Sequence, residues 1–136
     1  MQLLLDTCAA IWIAEDAPLA DEAVRAIDRA KDNDDAVLMS PISAWEIGLL
    51  VARGRLALPI GAQAWFDQII ETPNVELADL PPAVLIAASF LPGIPPRDPS
   101  DRIVIATARE QNLTIVTRDR QILKYATAGH VRALAC

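Results

Sequence analysis

Five short apolar runs, at residues 2–5, 36–39, 75–77, 113–116 and 131–134, are separated by stretches long enough to form helices. This alternation constrains the fold more than any other feature of the chain. Runs of three or four residues between helical patterns read as short buried strands. A helix carries the chain back to the sheet edge where the previous strand began, so successive strands run parallel. The expected class is therefore α/β, a parallel sheet covered by helices on both faces. Helices are expected at 8–14, 19–31, 62–70 and 119–127. Three more begin at Ser40-Pro41, Pro81-Pro82 and Asp98-Pro99. Ser40-Pro41 and Asp98-Pro99 each set a capping side chain before a proline at the first helical position.

At 136 residues the chain is expected to form one domain, residues 1–136, and 53% apolar with 22% charged residues marks it as globular. The net charge of −6 is uneven: residues 1–35 carry nine acids against three bases. That balance argues against a broad basic surface gripping duplex nucleic acid, but it permits a local site. Leu3-Leu4-Leu5 is stopped by Asp6, too early for a secretory signal. The longest uncharged run, residues 80–96, holds five prolines and cannot span a bilayer. Cys8, read as a small core residue, and Cys136 form no spaced framework, which suits a reducing cytoplasm.

In open parallel sheets the ligand site lies beyond the carboxyl ends of the strands. Asp6 ends the first strand and Asp119 follows the fourth. Asp101 lies in the first turn of the helix that enters the fourth strand, and Glu46 lies nearly two turns into the helix after the second. All four can face one edge. Like charges gather in a crevice only if some are protonated or a cation is present. Carboxylates without histidine or cysteine select hard ions such as Mg²⁺ or Mn²⁺. Such an ion suits phosphodiester hydrolysis. Arg97, Arg102, Arg118 and Arg120 adjoin the aspartates and are candidates for binding phosphates, or for pairing with the acids themselves.

Each acid also has a structural role open to it. Asp98 is the simplest N-cap of its helix, and Asp101 at the third position suits a capping box. Glu46 follows Ser43 by three residues, again a capping-box spacing, though Ser40-Pro41 is the better helix start. Asp119 or Thr117 can cap the helix that follows them, and Asp6 can serve as a plain N-cap. The single histidine, His130, sits in a turn and leaves no material for a triad or a histidine-rich zinc site. Trp12, Trp45 and Trp65 are expected in the core or at an interface.

Four pieces in order, LLLDT, SPISAWEIGLL, RDPSDRIVIATA and TIVTRD followed by ILKY, resemble the PIN-domain family, specifically VapC-like toxins of type II toxin–antitoxin systems. The resemblance covers nearly the whole chain. It implies a three-layer α/β/α sandwich with a central, mainly parallel five-stranded sheet. It also implies a metal-dependent ribonuclease acting on single-stranded or looped RNA, with transfer RNA a reasonable target. The family's four acids fall on Asp6, Glu46, Asp101 and Asp119, with Asp6, Asp101 and Asp119 holding Mg²⁺ or Mn²⁺ directly or through water. Asp98 matches a further acid of the subgroup and Thr117 a small hydroxyl residue. Many relatives carry a histidine where this chain has Pro96. The implied partners are a VapB-like antitoxin and a second copy of the chain.

Two rival readings have their own tests. A phosphoryl-transfer domain would also place an aspartate after the first strand, but a phosphatase of that kind wants a second one where this chain has Cys8, and a receiver wants a lysine after a late strand where Lys124 falls inside a helix; its test is trapping an aspartyl-phosphate on Asp6. A binding module would use the acids only to hold a basic partner segment, and would show no divalent-ion affinity that depends on Asp119.

Overall fold

The computed structural model describes residues 1–136. Its elements alternate as expected: β1 (Leu3–Leu5), α1 (Thr7–Ala14), α2 (Asp21–Asp32), β2 (Val37–Met39), α3 (Ile42–Ala52), α4 (Ala62–Glu71), β3 (Val75–Leu77), α5 (Pro82–Ser89), α6 (Pro99–Gln111), β4 (Thr114–Thr117), α7 (Arg120–Thr127) and β5 (Arg132–Ala135). The five strands form one sheet in the order β3-β2-β1-β4-β5. Every neighbouring pair is parallel.

The strand order fixes where the helices go. From β1 the chain moves outward through β2 to β3, then crosses to the other side of β1 for β4 and β5. Crossovers share one hand, so reversing the direction of travel puts the later helices on the opposite face. The core divides accordingly. Leu3, Leu5, Val37, Met39 and Val116 face Ala9, Ala23, Ala26, Ile47, Trp65 and Phe66 from α1 to α4. Leu4, Leu38 and Ile115 point the other way, against Val104, Ile105 and Ala108 of α6 and Ile122 and Tyr125 of α7. This is the period-2 alternation of strand side chains, here apolar on both faces. Each fully buried leucine contributes about 1.5–3 kcal/mol, and Leu3 and Leu4 are at most 1% exposed. Helix α5 packs on α6 through Val84, Ala88 and Ala106.

The helix starts follow their sequence signals. Asp6, Asp98 and Asp119 are the N-caps of α1, α6 and α7, each accepting a backbone N–H. Pro41 already has helical angles (φ −54°, ψ −25°) and Ser40 Oγ accepts the N–H of Ile42 at 3.2 Å. Asn112 ends α6 in the left-handed region at φ 59°, a conformation that asparagine tolerates. No helix is long and apolar enough to cross a membrane. One placement differs from expectation and another is narrowed. Cys8 is exposed and not part of the core, because the residue after Thr7 turns away from the sheet into a hollow. Trp45 is 57% exposed, since the face of α3 that meets the sheet is set by Ser43 and Ile47; of the two places expected for it, this removes the core and leaves an interface.

Candidate active site

The sheet's direction of travel reverses between β1 and β4, and a crevice opens beyond their carboxyl ends. Asp6 and Asp119 follow these two strands. Asp6 Oδ1 accepts the N–H of Ala9 at 2.7 Å, and Oδ2 accepts the hydroxyl of buried Thr117. Thr117 Oγ1 in turn accepts the N–H of Asp119 at 2.9 Å. One hydroxyl therefore ties the ends of both strands together. Asp119 Oδ1 accepts the N–H groups of Gln121 and Ile122 at 2.9 and 3.0 Å, leaving Oδ2 free.

Glu46 reaches the same place from α3. Its Oε1 accepts the hydroxyl of Thr7 at 2.6 Å. Ser43 Oγ, fully buried, lies 2.9 Å from the same hydroxyl oxygen. Thr7 has one proton and gives it to the carboxylate, so Ser43 donates to Thr7. The Ser43–Glu46 spacing is thus not a capping box. It sets two side chains on the face of α3 that meets Thr7. Asp101, at the head of α6, accepts no hydrogen bond in the fold. The capping box open to it does not close, and Asp98 caps the helix alone, 3.4 Å from the N–H of Ser100.

These elements enclose a hollow of about 210 Å³ lined by Asp6, Glu46, Asp101 and Asp119, with Thr7, Cys8, Trp12, Val104 and Arg118. The four acids of the sequence reading thus share one space. Burial and mutual repulsion act on their protons. Asp101 is pushed up to about 7, first by burial and then by Asp98, Asp119, Glu46 and Asp6. Asp6 is raised by burial despite the hydrogen bonds from Thr117 and Ala9. Glu46 is raised by burial against the lowering effect of Thr7. The Cys8 thiol, set in the hollow although the residue reaches the surface, is pushed up to about 11, first by desolvation and then by the four carboxylates, which keeps it protonated.

The four arginines part company. Arg118 lines the hollow, stacks 4.0 Å above Trp12 and donates to the Pro18 carbonyl at 2.7 Å. Arg102 is turned away from it: its guanidinium donates to the carbonyls of Ala88, Ser89 and Pro96 at 2.9, 3.3 and 3.3 Å, closing the C-terminus of α5. Its neighbour position to Asp101 does not bring it to the site, because adjacent helix residues point about 100° apart. Arg97 and Arg120 are exposed outside the hollow. Thr7, Ser43 and Cys8 joined the site without being singled out. The hydroxyl directly after Asp6 was the available signal for Thr7.

The donor set suits a hard cation: every candidate atom is a carboxylate oxygen, and Asp101 and Asp119 keep oxygens free. No three of the acidic, cysteine or histidine side chains stand close enough to ligate one ion directly. An ion held here would complete its shell with water, as Mg²⁺ prefers.

Fold and hollow together define a class: three-layer α/β/α proteins carrying an acidic site at the switch point of a parallel sheet. Within it, residues 3–128 match the model of the PIN domain. The chain is 35% identical over 121 residues to Ribonuclease VapC22 of Mycobacterium tuberculosis, covering 88% of each protein. Among solved structures it resembles VapBC2 from Rickettsia felis, bound to a promoter DNA fragment (TM-score 0.71, 16% identity, 99% of this chain and 98% of that one). It also resembles VapBC-1 from nontypeable Haemophilus influenzae (TM-score 0.65, 16% identity, 99% and 98%). FitAcB from Neisseria gonorrhoeae is a further neighbour (TM-score 0.58, 22% identity, 97% and 96%). At those identities the structures speak for the fold alone. The chain belongs to the PIN-domain family, on its VapC-like branch.

Proposed function

We propose that this protein is a divalent-cation-dependent endoribonuclease, the toxin of a toxin–antitoxin pair, cutting single-stranded or looped RNA such as transfer RNA. The observation that carries this reading is the convergence of Asp6, Glu46, Asp101 and Asp119 on one hollow. Similarity to Ribonuclease VapC22 supplies the substrate class. Asp6, Asp101 and Asp119 would hold Mg²⁺ or Mn²⁺ with water completing the contacts that the side chains do not make directly. When bound, the ion supplies Lewis acidity and positive charge beside the scissile phosphate.

The chain's own groups do the rest. Thr117 and the Ala9 N–H fix both oxygens of Asp6, so its carboxylate cannot swing as substrate enters. Thr7 holds one oxygen of Glu46 and leaves the other to orient the attacking water and take its proton. The raised affinity of Glu46 for a proton suits that task. In-line attack on phosphorus would leave a 5′-phosphate and a 3′-hydroxyl.

The solved neighbours VapBC2, VapBC-1 and FitAcB support a VapB-like antitoxin as partner. Exposed Trp45, Leu85, Ile86 and Phe90 offer apolar contact surface for it or for a second copy. The test is cleavage of RNA by the purified chain with added Mn²⁺ or Mg²⁺, with the product ends sequenced. Asp6→Asn and Asp101→Asn are each expected to lower cleavage at least about 100-fold. Cleavage by both at the parent's rate would remove the assignment.

A further inference from the structure

A second depression, of about 800 Å³, lies between the loop leading into α6 and the outer face of α7. In a chain with 18 acids and 12 lysines and arginines, it is lined by ten residues of which none is acidic. Arg97 and Lys124 stand in it, with Gln121, Ile94, Tyr125 and His130. Its floor is built. The rings of Tyr125 and His130 lie 4.8 Å apart, and the Tyr125 hydroxyl donates to the Pro92 carbonyl. Gly93, at φ +68°, lets the loop press on the imidazole: a Cβ there would come within 2.5 Å of His130 Nε2.

The cations of this groove share with Arg120 a head group left free by the fold, unlike four other arginines. Arg102, Arg109, Arg118 and Arg132 all spend their guanidinium groups on backbone carbonyls. Arg97 and Lys124 are exposed and make no side-chain hydrogen bond or ion pair within the fold. The groove and the hollow draw on neighbouring positions of the same two segments. Arg97 precedes the α6 cap Asp98, and Gln121 follows Asp119 by two residues. From Gln121 to Ala128 it follows α7 for about 10 Å, at 1.5 Å per residue.

We infer that this groove is a binding subsite for the sugar–phosphate backbone of the RNA strand flanking the scissile bond, with Arg97 and Lys124 each meeting a phosphate. The inference rests on the nuclease reading and extends it. A strand held only at the acidic hollow would be repelled by the protein's own charge. A groove with no carboxylate in its lining, built from residues next to Asp98 and Asp119 in the chain, gives it a place where phosphates are attracted. Sequence-tolerant capture is expected, because the groove offers charges and apolar walls with few groups to read base edges.

The experiment measures binding of a fluorescent single-stranded oligouridylate to the full chain in EDTA, across a salt series. Two lost phosphate contacts on a single strand lower the slope of log K against log salt by about 1.4, at about 0.7 each. That corresponds to about 25-fold weaker binding near 0.1 M salt, fading towards 1 M. Arg97→Ala/Lys124→Ala is expected to show this loss. With divalent ion restored, its KM for RNA should rise by a similar factor while kcat holds. Arg53→Ala/Arg55→Ala removes the same charge at the far end of α3 and is expected to keep the parent's slope. An unchanged slope and KM in Arg97→Ala/Lys124→Ala, in a parent that does cleave RNA, would overturn the subsite and leave the nuclease reading standing. A parent that cleaves no RNA with either ion would overturn the nuclease reading first. Weaker antitoxin binding with RNA binding intact would assign the groove to the antitoxin and also overturn the inference.

Discussion

Thr7 shows how much one hydroxyl decides. It is buried between two elements, accepts a hydrogen bond from Ser43 and donates one to Glu46. A long glutamate side chain has several rotamers, and this contact selects one. Groups that orient catalytic or metal-binding side chains typically carry about 10–100-fold in activity. Thr7→Val keeps the shape and removes the proton, so kcat is expected to fall by about that factor with KM little changed. Thr7→Ser restores the donor and is expected to recover most of the rate. If Val and Ser behave alike, Thr7 is only filling space. The three capping aspartates make a related point. A cap uses one oxygen, and at Asp119 the other remains free. Capping and site chemistry, rivals in the sequence, coexist in one side chain.

At the scale of elements, the N-termini of α1, α6 and α7 all point toward the hollow. Their backbone N–H groups bring positive partial charge to a place crowded with carboxylates. That is why so apolar a helix as α6 begins with so much charge. Its body is buried through Val104, Ile105, Ala106 and Ala108, its head meets the site, and its tail meets solvent at Arg109 and Glu110. Arg102 belongs to this scale too. It joins α6 to the end of α5, satisfying carbonyls that a helix C-terminus leaves open. Arg102→Ala is expected to destabilise the fold by about 2 kcal/mol in urea unfolding. RNA affinity should not change; a rise in KM with unaltered stability would put Arg102 back among the phosphate contacts.

For the whole molecule, the hollow is a local liability. Burial and neighbouring carboxylates raise the Asp101 carboxyl to about 7, from an ordinary value of 3.8. A folded-state value above the unfolded one means the folded chain holds the proton more tightly. The destabilisation is therefore absent below about pH 4, grows as pH rises, and is complete above about pH 7. In metal-free protein, Asp101→Asn is expected to be more stable than the parent by about 1–2 kcal/mol near pH 8, a figure reduced for partial solvent exposure. Below about pH 4 the two should unfold alike. Chemical denaturation at the two pH values decides; an equal gain at both would mean that charge repulsion is not the cause.

The sequence by itself determined the alternation of elements, the parallel sheet and the cap-proline starts of α3 and α6. These depend on periodicity and on local backbone chemistry, which neighbouring residues carry. It also pointed to Asp6, Glu46, Asp101 and Asp119, because sheet topology assigns strand ends and helix heads to one edge. Only the tertiary structure decided that Thr7 and Ser43 steady Glu46, that Cys8 faces the hollow, and that Arg102 serves α5. Each depends on which way a side chain turns and what a distant segment places before it. Contacts between residues 36 or 111 positions apart, as for Thr7 with Ser43 and Asp6 with Thr117, are created by packing, and no local pattern encodes them.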